Sequence, residues 1–145
     1  MNIRYINICF KFFLKAIKPI NDNKVKQKFK IDSYLRLGDS FFAIQKYDLS
    51  LNQYLNVLNS NLKELNNNTY DFVFYVAGVD IHHEDRLGKL KITDEGINKR
   101  DRIVIENFYS KKTPLCGVLG GGYNKSFDKL IELHSMLHKN CAEYF

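Results

Sequence analysis

The 145 residues are 45% hydrophobic and 26% charged with eight glycines and two prolines, which suits one packed domain and excludes a fibrous or disordered chain. The net charge of +6 comes from lysines spread along the chain without a nucleic-acid motif, so a basic soluble protein is expected and no nucleic-acid partner. Three widely spaced cysteines, Cys9, Cys116 and Cys141, form neither a disulfide framework nor a CxxC zinc site, which fits a reducing, cytoplasmic setting.

In chain order, residues 1–18 carry the apolar stretches Ile6 to Phe10 and Phe12 to Leu14, interrupted by Lys11 and Lys15. That is too short and too charged for a membrane span, which needs about 20 apolar residues. No small-residue cleavage site marks a signal peptide. Residues 1–48 show no clean period and are expected to form a poorly defined N-terminal segment. Ordered alternation covers residues 49–145.

Ser50 is placed as the N-cap of a helix whose stripe is Leu51, Tyr54, Leu55, Leu58, Leu62 and Leu65. Asn66 to Thr69 break it. Tyr70 to Ala77 is a near-continuous apolar run, the pattern of a parallel strand buried on both faces. A polar loop follows from Ile81 to Leu90. Thr93 is the next N-cap, with Asp94 and Glu95 where the helix dipole favours acids. That helix turns Ile97, Ile103, Val104 and Phe108 to a core. Leu115 to Leu119 reads as a second buried strand. A last helix opens at Asn124 or Ser126 and presents Phe127, Leu130, Ile131, Leu133 and Leu137 on its apolar side. The order is helix, strand, helix, strand, helix, an α/β class with a parallel sheet and flanking helices.

In such sheets, functional groups gather beyond the carboxyl ends of the strands. Asp80 follows the first strand, and Gly120-Gly121-Gly122-Tyr123 follows the second. Asp80 reads equally as a metal ligand or cleft anchor and as a loop aspartate capping a turn. The cluster Asp80 to Asp85, with His82 and His83, has ligand-type chemistry, but loop clusters of this kind are commonly solvated surface. The three glycines permit unusual φ and close approach to a ligand. They match neither GxxxxGK[ST] nor GxGxxG. They could instead wall a substrate channel with Tyr123 aimed inward, its hydroxyl a donor to a developing oxyanion. A tight strand-to-helix turn with a packing tyrosine is the plain alternative. His134 and His138 stand four apart, but no Glu accompanies them as in HExxH.

Several of these strings together resemble the histone deacetylase family. They are Asp71 to Asp80, Asp85-Arg86-Leu87-Gly88, Thr93-Asp94-Glu95-Gly96 running into Lys99-Arg100-Asp101, and Leu119-Gly120-Gly121-Gly122-Tyr123. The likeness is nearest to the bacterial and class-IV-like branch, over residues 50–142. It implies an arginase/deacetylase-like parallel-sheet fold and zinc-dependent hydrolysis of N-acetyl groups from acetylated lysine or an acetylated small amine. In the family a zinc ion is held by two aspartates and a histidine, a histidine pair moves protons, and a tyrosine supports the oxyanion. By resemblance, Asp80 matches the second metal-ligand aspartate and Tyr123 the oxyanion tyrosine. Gly121 and Gly122 match the glycines beside the substrate tunnel. His82 resembles a histidine common in this branch and is assigned no role.

The departures are specific. No DxDxH string supplies the first aspartate and the histidine ligand, and no upstream histidine pair is present. His82-His83 lies after the metal aspartate, in the wrong place for that pair. The resemblance therefore implies the C-terminal portion of a deacetylase domain, with zinc not bound by the isolated chain. Two expectations follow: a deacetylase site completed by a separate chain supplying the N-terminal half, or a non-catalytic remnant or interaction module.

Overall fold

The computed structural model describes residues 24–88 and 90–144. The apolar N-terminal stretches and Cys9 lie outside the described residues. The chain divides into two compact units, Met1–Glu64 and Leu65–Phe145.

In the first unit, α1 (Lys24–Ala43) and α2 (Tyr47–Leu65) are joined by a short turn in which Gln45 adopts a left-handed φ of 61°. The helix α1 occupies a segment whose sequence shows no period. Its buried line is Ser33, Leu37 and Phe41, four apart, beside Gly38. Two of those four positions are a serine and a glycine, so the apolar stripe is too thin to read. Gly38 is small because Tyr54 of α2 lies against it: a Cβ there would stand 2.7 Å from the Tyr54 ring. The helix α2 starts at Tyr47, with Asp48 in its first turn. Ser50, the expected N-cap, therefore sits inside the helix, buried, and donates its hydroxyl to the Gly38 carbonyl at 2.8 Å.

The second unit is a parallel βαβ with a further helix: β1 (Val73–Ala77), α3 (Asp94–Tyr109), β2 (Leu115–Leu119) and α4 (Phe127–Ala142). The strands pair from Val73↔Leu115 to Ala77↔Leu119. Thr93 caps α3 by accepting from the Gly96 N–H at 3.2 Å, and Ser126 caps α4 by accepting from Lys129 N–H at 3.2 Å. One sheet face packs on the helices. Ala77, Ile105 and Leu137 form its core, with Tyr75, Leu115, Cys141 and Tyr144 against them. Gly117 belongs to this face, where a Cβ would meet Leu137 at 3.1 Å.

The other face departs from expectation. Phe74 and Val76 are 71% and 65% exposed, so β1 alternates between covered and open positions where its apolar run predicts burial on both sides. The run is apolar enough for two buried faces, but these helices cover only one. For the same reason Phe127 and Ile131 of α4, expected on its apolar side, are exposed while Leu133 and Leu137 are buried. A cavity of about 670 Å³ opens at the starts of the strands, among Phe72, Pro114, Leu115, Ile105 and Cys141. It lies at the end of the sheet away from Asp80 and Tyr123.

Candidate functional site

Beyond Ala77 the chain turns through Gly78-Val79-Asp80 and meets the loop that follows β2. The N–H groups of Val79 and Asp80 both donate to the Gly121 carbonyl, at 2.6 and 3.1 Å. The Asp80 carboxylate lies directly against Gly121: a Cβ at 121 would stand 2.5 Å from Asp80 Oδ2. Gly122 is equally confined, 2.6 Å from Val79 and from Leu130 of α4 by the same measure. Among the described residues no glycine takes a positive φ. Close approach, rather than unusual backbone angles, is therefore what these glycines provide.

The loop after Asp80 is only partly solvated. His83 and Glu84 are exposed, but His82 is 0% and Asp85 5% exposed. His82 is fixed from both sides of its ring. Nδ1 accepts from the Glu84 N–H at 3.3 Å, which puts the proton on Nε2, facing Asp94 Oδ1 at 2.7 Å. The other Asp94 oxygen takes the Lys129 ammonium, which also reaches Glu132 at 2.9 Å. A chain of polar contacts thus joins the β1 loop, the start of α3 and the start of α4. Burial opposes the charge on Asp94, yet Lys129 and His82 outweigh it and hold its carboxyl below the usual range. Asp94 and Glu132 in turn push the Lys129 ammonium up.

Asp85 ties the two loops. Its Oδ1 accepts from Leu87 N–H at 2.8 Å and Gly88 N–H at 2.7 Å. Its Oδ2 accepts from Tyr123 N–H at 2.6 Å. Burial works against ionisation here too, but the Gly88, Tyr123 and Leu87 amides and Lys91 prevail and lower its pKa. Arg86 Nε donates to the Tyr123 carbonyl at 2.9 Å, and Asn124 Nδ2 reaches Glu84 at 3.3 Å. The Tyr123 side chain itself is exposed. The structure so brings Asp80 against Gly121 and Val79 against Gly122 through neighbouring loops, and pins the Tyr123 backbone beside them.

Sequence reading missed the support beneath. Asp101 of α3 is 1% exposed, accepts from the Tyr75 hydroxyl at 2.5 Å and pairs with Arg100 at 2.7 Å. Arg100 also donates to the Gly78 carbonyl at 2.5 Å, at the turn that leads to Asp80. Burial pushes the Tyr75 phenol up, Arg100 opposes that and Asp101 adds to it. The signal was available: Asp101 stands four residues from both Ile97 and Ile105, an acid on a core face. His134 of α4 lies under Gly122, its pKa lowered by burial and by the nearby Arg100 and His138.

Among the described residues, the ligand-type side chains close enough to share one cation are His82, His83 and Glu84, within 4.8 Å. That group does not include Asp80, and both ring nitrogens of His82 are already engaged. No described helix is long and apolar enough to cross a membrane.

Comparison with known proteins shows the family. The histone deacetylase domain profile matches residues 40–137. An uncharacterised protein of Picosynechococcus sp. is 40% identical over 93 residues, which cover 63% of this chain and 31% of that protein. Histone deacetylase 2 of Arabidopsis thaliana is 39% identical over 80 residues, 54% of this chain and 21% of that protein. The chain thus spans about a third and a fifth of the length of the relatives it matches. With an α/β fold and a domain match over residues 40–137, the chain belongs to the histone deacetylase family.

Proposed function

We propose that this chain carries one side of a deacetylase site acting on acylated amines, acetylated lysine or an acetylated small amine. Asp80 is the carboxylate it offers to a metal. Tyr123 is the donor to the oxygen that gains charge when the amide is attacked, and Gly121 and Gly122 form the wall beside them. The observation that carries the reading is the seating of the Asp80 carboxylate against Gly121, two residues before Tyr123.

The residues present do not fit a catalytic zinc on their own, since such a site takes three protein ligands. Asp80 is in no group of three ligand-type side chains among the described residues, and the sequence has no DxDxH. In this reading the remaining ligands and the proton-moving histidines come from polypeptide outside these 145 residues. The double engagement of His82 favours a second reading for the isolated chain, a non-catalytic module.

Zinc content separates the two. The purified chain is expected to hold no tight zinc. Mixed with a polypeptide bearing a DxDxH strand end and a histidine pair, it should gain one equivalent, which Asp80→Ala abolishes. A tight equivalent in the chain alone, or one indifferent to Asp80→Ala in the mixture, contradicts the assignment.

A further inference from the structure

We infer that Asp85, with Arg86, is the positioning residue for Tyr123, holding that tyrosine's backbone in register with Asp80. The inference rests on the proposed role of Tyr123 and adds what places it. The Tyr123 side chain is exposed, so a buried ring does not fix its position. Its two backbone polar groups are instead both taken by the loop that follows β1. The N–H donates to Asp85 Oδ2 at 2.6 Å, and the carbonyl accepts from Arg86 Nε at 2.9 Å.

The same Asp85 carboxylate reaches the Asp80 side through its other oxygen. Oδ1 holds the Gly88 N–H, and Gly88 is pressed onto the Asp80 backbone so closely that a Cβ would overlap the Asp80 carbonyl oxygen at 1.5 Å. One buried carboxylate therefore fixes the stretch that backs Asp80 and the residue that carries the phenol. Hydrogen bonds to an ionised, buried acceptor are the strong kind, and losing one leaves the acceptor's partner free to move. The Val79 and Asp80 N–H groups already tie the loops at Gly121, and Asp85 extends that link to Tyr123.

The geometry also gives a selective probe. In Asp85→Asn the amide oxygen can stay at the Oδ1 position, where it keeps the Leu87 and Gly88 bonds. The amide nitrogen then faces the Tyr123 N–H, donor against donor. The reverse orientation gives up two bonds to keep one. Asp85→Asn thus cuts the link to Tyr123 and spares the rest of the loop.

The test uses the full chain, with amide hydrogen exchange read residue by residue and 3-fluorotyrosine placed at position 123. In Asp85→Asn, Tyr123 N–H exchange should quicken about tenfold or more, as expected for loss of one hydrogen bond to a charged group. Leu87, Gly88 and the core amide of Leu133 should keep their protection. The fluorine signal should broaden or shift. Arg86→Ala, which leaves the buried carboxylate intact, should also move the fluorine signal, and it decides the matter if Asp85→Asn does not fold. Unchanged exchange and fluorine signals in the variants that fold overturn the inference. So does a Tyr123 change that merely parallels Leu133, the mark of general loosening. These readouts need no turnover, so failure here leaves the deacetylase reading standing. Failure of that reading leaves the loop coupling standing in turn.

Discussion

Asp101 and Gly121 show two ways in which a single position holds this site. Asp101 is buried with Arg100 and the Tyr75 hydroxyl, and Arg100 passes the contact to Gly78. Removing the acid leaves a half-buried guanidinium without its counter-charge. Asp101→Ala is therefore expected to cost about 3 kcal/mol in urea unfolding, the range for breaking one side of a buried pair. A cost within experimental error would show the pair to be idle. Gly121→Ala pushes a methyl to 2.5 Å from Asp80 Oδ2, so the Asp80 carboxylate must turn aside, at a cost of up to about 1–3 kcal/mol. A change in Asp80 chemical shifts with the β1–β2 pairing preserved is the expected signature, read by NMR. At this scale the sequence was partly legible. Asp80, Gly121, Gly122 and Tyr123 stood out because each lies in a short string at a strand end. Asp85 and Arg86 belonged to a recognised string, but their bonds to Tyr123 cross 38 and 37 positions of chain, and no local pattern records such a link. Asp101 broke an apolar helix face, a cue that depends on knowing which face is buried.

His82, Asp94 and Lys129 join the loop after β1 to the starts of α3 and α4. Asp94 and Asp85 both have folded-state pKa values below the usual range. The stability each contributes is present above its unfolded value, about 3.9, and is lost as pH falls through its folded value. The thermal midpoint should therefore drop steeply below about pH 4, where an ordinary aspartate is half protonated. Asp94→Asn should lower the midpoint at neutral pH and flatten that acid limb. An equally steep limb in the variant would place the acid sensitivity elsewhere. The helix α2 and the α3 and α4 caps were readable because capping residues and leucine spacing are local signals. The start of α2 was not, because Tyr47 and Asp48 lie ahead of the stronger apolar stripe and Ser50 mimics a cap while serving as a buried contact. The helix α1 escaped because close packing at Gly38 and Ser33 substitutes for an apolar stripe.

For the molecule as a whole, the open sheet face matters most. A parallel sheet is ordinarily covered on both faces, and a two-stranded one is marginal by itself. Phe74 and Val76 instead face solvent, while the opposite face is packed by Ile105 and Leu137. Contiguous exposed apolar surface promotes association. Phe74→Ser with Val76→Thr should reduce concentration-dependent association in sedimentation velocity without lowering the thermal midpoint by more than about 1 kcal/mol equivalent. Unchanged association with a large loss of stability would mean that this face is already covered. The apolar run of β1 was legible in the sequence, but its alternation was not. Periodicity reports what a strand could bury, and the partners present decide what it does bury.

In the proposed function, Asp80 and Tyr123 serve one deacetylation site. The decisive measurement is acetate release from an acetyl-lysine reporter, with the chain combined with polypeptide carrying the DxDxH and histidine-pair elements. Asp80→Ala is expected to abolish turnover, and Tyr123→Phe to lower it about 100-fold or more while zinc stays bound, the cost of losing an oxyanion donor. Undiminished turnover in both variants would mean that neither side chain serves the reaction.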